Sequence, residues 1–178
     1  MQFETTEIEG VYLIKPFHFE DARGSFVKTF HAGEFAEKGL ETDFKESFYS
    51  SSVRGVIRGM HFQLPPHDHA KIVFATQGEI LDVVVDLRKN SATYGKSASF
   101  KLTEENKNQL YIPRGLAHGF CALTDAATLF YFVSSVHNKA SDSGIRYDSF
   151  GFHWPVENPI VSDRDLSFVK LEEFYSPF

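Results

Sequence analysis

The sequence predicts an all-β protein, a sandwich or barrel formed as one domain by residues 1–178. Short runs rich in β-branched and aromatic residues recur along the chain, and turn signals separate them roughly every 8–12 residues. Aromatic residues are abundant, with 19 Phe, 7 Tyr and 1 Trp. A chain of this length buries a substantial core, so these side chains have an interior to fill.

The first quarter of the chain contains strand-like runs that end at turn residues. A strand within residues 11–19 ends at Pro16, and the turn that follows contains Gly24. Gly39 stands near the end of a short helical pattern. The predicted elements are strands at residues 11–19, 26–30 and 44–53, a turn at residues 21–25 and a helix at residues 34–40.

Residues 71–87 predict a hairpin with Gln77 and Gly78 at its turn. In the second strand, apolar residues alternate with Asp82, Val84 and Asp86, so one face of that strand is apolar. We expect the two aspartates to have structural roles.

The second half of the chain continues the pattern of short strands. Pro113 and Gly115 mark a turn between two of them, and Pro155 breaks the chain again. The predicted elements are strands at residues 94–102, 110–112, 117–123 and 128–134, a loop at residues 137–151 and a helix at residues 163–174.

Composition excludes several classes of function. The net charge is −6 and the pI is about 5.7, which argues against a nucleic-acid or anionic-membrane surface. Cys121 is the only cysteine, so an intrachain disulfide and a multi-cysteine zinc site are excluded. No stretch of about 18 apolar residues and no signal-peptide pattern occurs. We therefore expect a cytoplasmic protein with no membrane partner.

Residues 55–63 (GVIRGMHFQ) place Arg58, His61 and Gln63 in one strand-like run. Strict alternation puts Arg58 on the face opposite His61, but a bulge at Gly59 would re-aim it. One interpretation is a general base beside an anion-binding arginine. The alternative is a buried structural histidine and a surface arginine.

Several motifs together resemble a known family. The main runs are residues 58–63 (RGMHFQ), 78–88 (GEILDVVVDLR) and 112–120 (IPRGLAHGF), with further matches at residues 21–24 (DARG), 105–110 (ENKNQL) and 162–165 (SDRD). In order and spacing they resemble the dTDP-4-dehydrorhamnose 3,5-epimerases over roughly residues 8–166. The resemblance implies a cupin-type jelly roll that acts on 4-keto-6-deoxy nucleotide sugars, in deoxysugar biosynthesis for a surface polysaccharide.

The resemblance also assigns chemical roles. His61 matches the base, Tyr131 the acid on the opposite side of the sugar, and Asp165 the carboxylate that orients His61. An ordinary histidine pKa near 6.5 suits proton abstraction at neutral pH. Lys71 matches the lysine that stabilises the enolate oxygen. No metal and no redox cofactor is implied.

Other residues are implied in substrate binding. Arg23 and Arg58 match residues that hold the diphosphate, for which a guanidinium fork is well shaped. His118 is expected to line the pocket, with a buried structural histidine as the alternative. The remaining substrate-binding candidates are Gln63, Phe26, Lys28, Glu46 and Phe48.

The chain departs from the family pattern where the nucleotide is expected. Lys28 replaces a glutamate, and Glu46 and Phe48 replace the two amides of a Gln-x-Asn-x-Ser motif. Val136 and His137 replace paired tyrosines. These departures leave open a thymidine, cytidine or guanosine diphosphate sugar, and epimerisation at C3 alone or at both C3 and C5.

Two other classes compete with the epimerase. A metal-dependent cupin is suggested by His67 and His69, although they follow two prolines and no glutamate stands at the short spacing that such cupins use. A silent sugar-nucleotide-binding module would be favoured by loss of His61 or Tyr131, and both are present. We also expect a homodimer in which residues 11–14 add to the partner's sheet.

Overall fold

The computed structural model describes residues 1–178 as thirteen strands with two short α-helices and one 3₁₀ turn. The strands of the first half are β1 (Gln2–Thr5), β2 (Tyr12–Lys15), β3 (His18–Asp21), β4 (Gly24–Val27), β5 (Glu46–Ser52), β6 (Ile57–Gln63), β7 (Lys71–Gln77) and β8 (Glu79–Asp86). The later strands are β9 (Ser97–Thr103), β10 (Gln109–Ile112), β11 (Leu116–Ala122), β12 (Ala127–Val133) and β13 (Asp142–Gly144). The helices are α1 (Ala32–Glu37) and α2 (Asp163–Leu166), and the 3₁₀ turn is Leu171–Glu173.

Eleven of the strands form two sheets that face each other. The six-stranded sheet has the order β1-β2-β10-β7-β12-β5, and the five-stranded sheet has the order β13-β6-β11-β8-β9. The main core lies between them, where Val73 and Leu129 of the first sheet meet Val84 and Phe120 of the second. The predicted all-β jelly roll is confirmed.

The outer face of each sheet is covered by segments that are not strands. On the six-stranded sheet, α1 inserts the fully buried Phe35 against Ile72 and Tyr111. On the five-stranded sheet, residues 150–178 pack rings that include Trp154 and Phe174 over Val83, Val85 and other buried residues. Both outer faces are therefore apolar as well, so β8 is buried on both of its faces and not only on the one apolar face that its sequence predicts.

The predicted hairpin at residues 71–87 is wrong. β7 pairs with β10 and β12, whereas β8 pairs with β9 and β11 in the other sheet. Gly78 connects them at a corner, with a φ of +66° and no room for a side chain, since a Cβ there would lie 2.1 Å from the Ala126 carbonyl oxygen. A glycine turn between two strands looks the same in sequence whether the strands pair or change sheets.

Three further expectations need correction. Residues 12–15 form β2, which is already paired on both sides by β1 and β10, so they cannot add to a partner's sheet. The helix expected at residues 163–174 is only α2 and the 3₁₀ turn. The loop expected at residues 137–151 contains β13, which pairs with β6.

β3 and β4 form a separate two-stranded arm, paired with each other and with neither sheet. The arm exposes Phe17, Phe19 and Phe26, each by more than half of its surface. Exposed rings grouped on one projecting element are unusual for a free surface.

Among the helices, none is long and apolar enough to cross a membrane.

Candidate active site

A cavity of about 270 Å³ opens between the two sheets, lined by side chains of β5, β6, β7, β11 and β12. The sequence-predicted residues that line it are His61, Lys71, Tyr131, Arg58, Gln63, His118, Glu46 and Phe48. Asp165 lies directly behind His61. Residues far apart in the chain thus converge on one site.

An irregularity in β6 brings Arg58 to the cavity together with His61. The register between β6 and β11 shifts between His118 and Phe120, opposite Gly59. Gly59 has a φ of +149°, and a Cβ there would lie 2.6 Å from the Gly119 Cα, so only glycine fits. The predicted bulge is confirmed.

His61 and Asp165 form a hydrogen-bonded pair. His61 Nε2 is 2.8 Å from Asp165 Oδ1, and the other carboxylate oxygen accepts the Gly59 N–H at 3.1 Å. Ser162 caps α2 by accepting from the Asp165 N–H, which places the aspartate in the first turn of that helix. Asp165 is 3% exposed, whereas the side chain of His61 is 30% exposed. The imidazole is therefore anchored on one side and open to the cavity on the other.

The charge of Asp165 is maintained by its contacts. Burial alone would raise the pKa of this carboxyl, but the hydrogen bond and charge of His61, the Gly59 N–H and the Arg164 guanidinium together lower it. An ionised Asp165 accepts the Nε2–H of His61 and leaves Nδ1 as the nitrogen able to take a proton.

Lys71 brings a buried ammonium group to the same cavity. Its side chain projects from β7, and Nζ donates to the main-chain carbonyl of His61 at 3.3 Å. Burial lowers the pKa of Lys71 to about 8, while Asp82 and Asp142 act to raise it. The amine is thus charged at neutral pH and close to its titration range.

Tyr131 faces the cavity from β12, in the sheet opposite His61. Burial raises the pKa of its phenol well above the usual range, so the group stays protonated. The ring of Phe48 stacks on it, with centroids 4.6 Å apart and planes inclined by 20°. The phenol thus stays protonated inside the cavity, and a parallel ring of β5 packs against it.

His118 and Asp82 form a second buried pair. His118 lies opposite His61 in the β6–β11 register, and its Nε2 is 2.8 Å from Asp82 Oδ2. Burial raises the pKa of Asp82 and lowers the pKa of His118, because the charged form of each loses its hydration. Asp82 thus holds in place the His118 ring that lines the cavity.

Arg58 and Gln63 line the cavity in different ways. Arg58 donates through Nε to the Ser52 hydroxyl and through Nη2 to the Ser51 carbonyl, which aims its guanidinium. The amide of Gln63 is occupied by the loops around it: Nε2 lies within hydrogen-bonding distance of the His67 carbonyl, and Oε1 accepts the Asn138 N–H. Gln63 therefore ties loops together at the wall of the cavity.

Three of the residues at which the chain departs from the family pattern, Glu46, Phe48 and His137, also line the cavity. Glu46 lines the cavity, and its carboxylate accepts the main-chain N–H of His137 at 2.8 Å. His137 itself is a lining residue. Phe48 is 43% exposed, and one of its faces is covered by Tyr131.

Three predicted residues are not brought to the cavity within one chain. Arg23 lies at the tip of the arm, where it pairs with Asp21, and Phe26 lies on the arm and is exposed. Lys28 follows β4 and donates its N–H to the Phe17 carbonyl. Arg23, Phe26 and Lys28 therefore all lie on or next to the arm formed by β3 and β4.

The cavity is also lined by residues that sequence reasoning did not assign to a substrate site, among them His69, Ser135, Asp142 and Arg164. The serine and the two charged residues stand in segments that read as loop or helix surface. Arg164 lies inside the motif at residues 162–165, so its position beside Asp165 was the available signal.

His69 packs into the wall of the cavity. Its Nδ1 is 3.2 Å from both the Gln63 amide nitrogen and the Ser135 hydroxyl. Burial lowers the pKa of His69 to about 3, with smaller effects from Lys71 and Arg114.

No three His, Cys, Asp or Glu side chains of the protein are grouped in a way that would hold a metal ion.

Several known proteins are similar to this chain in sequence, and they carry the names of epimerases. The sequence profile of the dTDP-4-dehydrorhamnose 3,5-epimerases matches residues 5–173. A dTDP-4-dehydrorhamnose 3,5-epimerase of Shigella flexneri is 42% identical over 165 residues, which cover 91% of each chain. A dTDP-4-dehydrorhamnose 3-epimerase of Streptomyces niveus is 38% identical over 176 residues, which cover 97% of this chain and 85% of that protein.

A solved structure agrees at the level of the fold. The dTDP-6-deoxy-D-glucose-3,5-epimerase of Legionella pneumophila, crystallised with dTDP-4-keto-L-rhamnose, has a TM-score of 0.93 to this chain at 31% identity. The match covers 98% of this chain and 94% of that one. On the profile, the sequence identities and the shared fold, the chain belongs to the dTDP-4-dehydrorhamnose 3,5-epimerase family of isomerases.

Proposed function

We propose that this protein epimerises a dTDP-linked 4-keto-6-deoxy sugar at C3 and C5, with His61 as the base and Tyr131 as the acid. The observation that carries the proposal is the placement of His61 and Tyr131 on opposite walls of one cavity. A sugar ring held between the two sheets presents one face to each residue. Inversion at carbon requires a proton to leave from one face and to return on the other.

The C4 ketone of such a sugar makes the chemistry accessible. Removing the proton from C3 or C5 gives an enolate whose charge resides on O4. His61 takes the proton at Nδ1, because Asp165 occupies Nε2 and orients the ring. Tyr131 then delivers the phenolic proton to the same carbon from the opposite face, which inverts it.

Lys71 stabilises the enolate. Its buried ammonium has a single hydrogen bond, to the His61 carbonyl, and retains donors for the developing charge on O4. A preorganised cation of this kind contributes about 3 to 4 kcal/mol of transition-state stabilisation.

The nucleotide is assigned from the relatives. The Shigella and Streptomyces proteins carry dTDP-sugar names, and the Legionella structure holds dTDP-4-keto-L-rhamnose. Arg58 is aimed at the cavity to receive a diphosphate. The same proposal places the reaction in the cytoplasm, in deoxysugar biosynthesis for a surface polysaccharide.

A second candidate is epimerisation of C3 alone on a CDP- or GDP-linked sugar. Glu46 and Phe48 favour it, because both line the cavity where the family pattern has amides. The Glu46 carboxylate accepts hydrogen bonds, and cytosine and guanine each offer an amino group that thymine lacks. The 3-epimerase of Streptomyces niveus is also among the relatives.

The arm supports a homodimer. Arg23, Phe26 and Lys28 are predicted to bind substrate, yet all three lie on or beside an arm outside their own cavity. We propose that each arm reaches the cavity of a partner copy and buries its exposed rings there. Mixing His61→Asn with Arg23→Ala protein tests this, because reassorted dimers then contain one intact site and regain activity, whereas a monomer gains nothing.

The function is tested by product analysis. The purified protein is offered dTDP-, CDP- and GDP-4-keto-6-deoxyglucose in turn, and the products are resolved by proton NMR. We expect inversion of the dTDP sugar at C3 and C5. Inversion at C3 alone on a CDP or GDP sugar would support the second candidate, and no turnover of any sugar would contradict both.

A further inference from the structure

Arg164 contacts the His61–Asp165 pair but has no part in the mechanism above. Its Nη1 is 3.4 Å from His61 Nε2 and 3.6 Å from Asp165 Oδ1. Its Nη2 donates to Asp142 Oδ2 at 2.7 Å, and the ring of Phe168 lies 5.0 Å from the guanidinium carbon. A carboxylate on β13 and an aromatic ring after α2 thus hold the guanidinium against the pair.

The contact between Arg164 and Nε2 restricts the state of the imidazole. Arginine only donates hydrogen bonds, and the shorter contact of Nε2 is the one to Asp165 Oδ1. If Nε2 lacked its hydrogen, a carboxylate oxygen and a ring lone pair would face each other at 2.8 Å. Nε2 therefore carries the hydrogen, and the guanidinium meets the ring as a neighbouring positive charge.

That charge opposes a second proton on His61. A carboxylate beside a histidine favours the imidazolium form, which cannot act as a base. Asp165 Oδ1 faces Arg164 as well as His61, so part of its negative charge is already balanced. An imidazolium would place two positive groups 3.4 Å apart around the same oxygen.

We propose that Arg164 is a positioning residue that shares the Asp165 carboxylate with His61, so that the carboxylate orients the imidazole without retaining a second proton on it. This inference rests on the proposed function, because it gives Arg164 a task only if His61 is the base.

Other charged or titratable groups surround His61 at different points. Lys71 on β7 contacts the main-chain carbonyl of His61, and His118 on β11, with its partner Asp82, lies opposite in register. The remaining groups are Tyr131 on β12, Arg58 on β6 and Asp142 on β13. Arg164 differs from them because its charge contacts Nε2 itself.

The test measures the pH at which His61 is half protonated. NMR of the histidine side chains in substrate-free protein gives this midpoint, and the signal that is missing in His61→Asn identifies His61. We expect Arg164→Met to raise the midpoint by about 1 pH unit, because a nearby positive charge is lost. Arg164→Lys retains the charge and should stay near the wild type. The control is Arg54→Met, which removes an arginine paired with Asp125 outside the cavity.

Kinetics separate this role from plain substrate binding. In Arg164→Met, the acidic limb of the kcat/KM profile should move to higher pH by the same amount as the NMR midpoint. At pH values above that limb, kcat should return to the wild-type value. A pH-independent rise in KM with an unmoved midpoint would overturn the inference and leave Arg164 as a binding residue. Arg164→Gln provides the same test if the methionine variant does not fold.

The two proposals fail in different ways. A shifted His61 midpoint in a protein that epimerises none of the sugars would support the Arg164 coupling and overturn the proposed function. An unshifted midpoint in an active enzyme would overturn the Arg164 inference alone.

Discussion

The ring of Phe48 lies parallel to the ring of Tyr131, with centroids 4.6 Å apart, across the β5–β12 pair. β5 is an edge strand of the six-stranded sheet, and Phe48 also lines the cavity. The family pattern has an amide at this position, and an amide cannot form this stack of two aromatic rings.

Replacing Phe48 therefore tests how far the stack holds the acid. We expect Phe48→Asn to lower the free energy of unfolding by about 1 kcal/mol and kcat by about tenfold, because Tyr131 loses its parallel neighbour. Tyr49→Asn is the matched control, since Tyr49 is the adjacent residue of β5 and is 68% exposed. Equal kcat in the two variants would show that the stack has no catalytic role.

Lys71 should produce an alkaline limit to activity. Burial lowers the pKa of Lys71 to about 8, so the ammonium is present below that pH and is lost as the pH rises through it. We expect kcat/KM to fall with a midpoint near 8 in the free enzyme. Lys71→Met should lose about 10² to 10³ in kcat and also lose this limb. A wild-type profile that is flat to pH 9.5 would contradict the assignment.

His69 should make the protein sensitive to mild acid. Burial lowers the pKa of His69 to about 3 from an ordinary 6.5. Below pH 6.5, His69 is therefore protonated in the unfolded chain but stays neutral in the folded chain. The stabilisation is complete above pH 6.5 and is lost as the pH falls toward 3. Between pH 7.5 and 5 this amounts to about 1 to 2 kcal/mol.

The measurement is urea unfolding at pH 7.5 and pH 5. We expect the loss of stability between these pH values to be smaller in His69→Gln than in the wild type by that amount. An identical loss in the two proteins would mean that His69 is protonated in the folded state.

Asp86 provides a contrast, because it acts on stability and not on the site. Its carboxylate accepts hydrogen bonds from Arg88, Ser91 and Thr93 at the end of β8. Burial acts to raise the pKa of Asp86, but these hydrogen bonds lower it to about 2. The stabilisation is present above pH 3.8 and is lost as the pH falls through 2.

We expect Asp86→Asn to lower the free energy of unfolding by about 2 kcal/mol at pH 7 while leaving kcat of the folded enzyme unchanged. Chemical unfolding and activity are measured on the same preparation. A tenfold fall in kcat at full folding would show that Asp86 also supports the cavity.

The fold class and the central residues of the site were predictable from the sequence, and the way in which the strands pair was not. Residues 55–63 form a bulged strand as expected, because apolar periodicity and an internal glycine are local signals. The break between β7 and β8 was missed, because a turn at Gly78 has the same pattern in a hairpin and at a corner between sheets. Strand partners depend on contacts between distant residues, which a single sequence does not show.

The same distinction applies to the site. His61, Tyr131, Lys71 and Asp165 were named from the family resemblance, and the structure brings them together. Arg164 was missed because a charged residue in a short helix usually faces solvent. Its place beside Asp165 in the motif was the one signal in the sequence, and its distance to His61 Nε2 shows the contact.

The central claim is that His61 removes the proton and Tyr131 returns one on the opposite face. It is tested most directly by incubating the dTDP-4-keto-6-deoxy sugar in D₂O and reading deuterium at C3 and C5, together with configuration, by NMR. We predict exchange with inversion in the wild type, exchange without inversion in Tyr131→Phe, and neither in His61→Asn. Inversion at the wild-type rate in either variant would contradict the account.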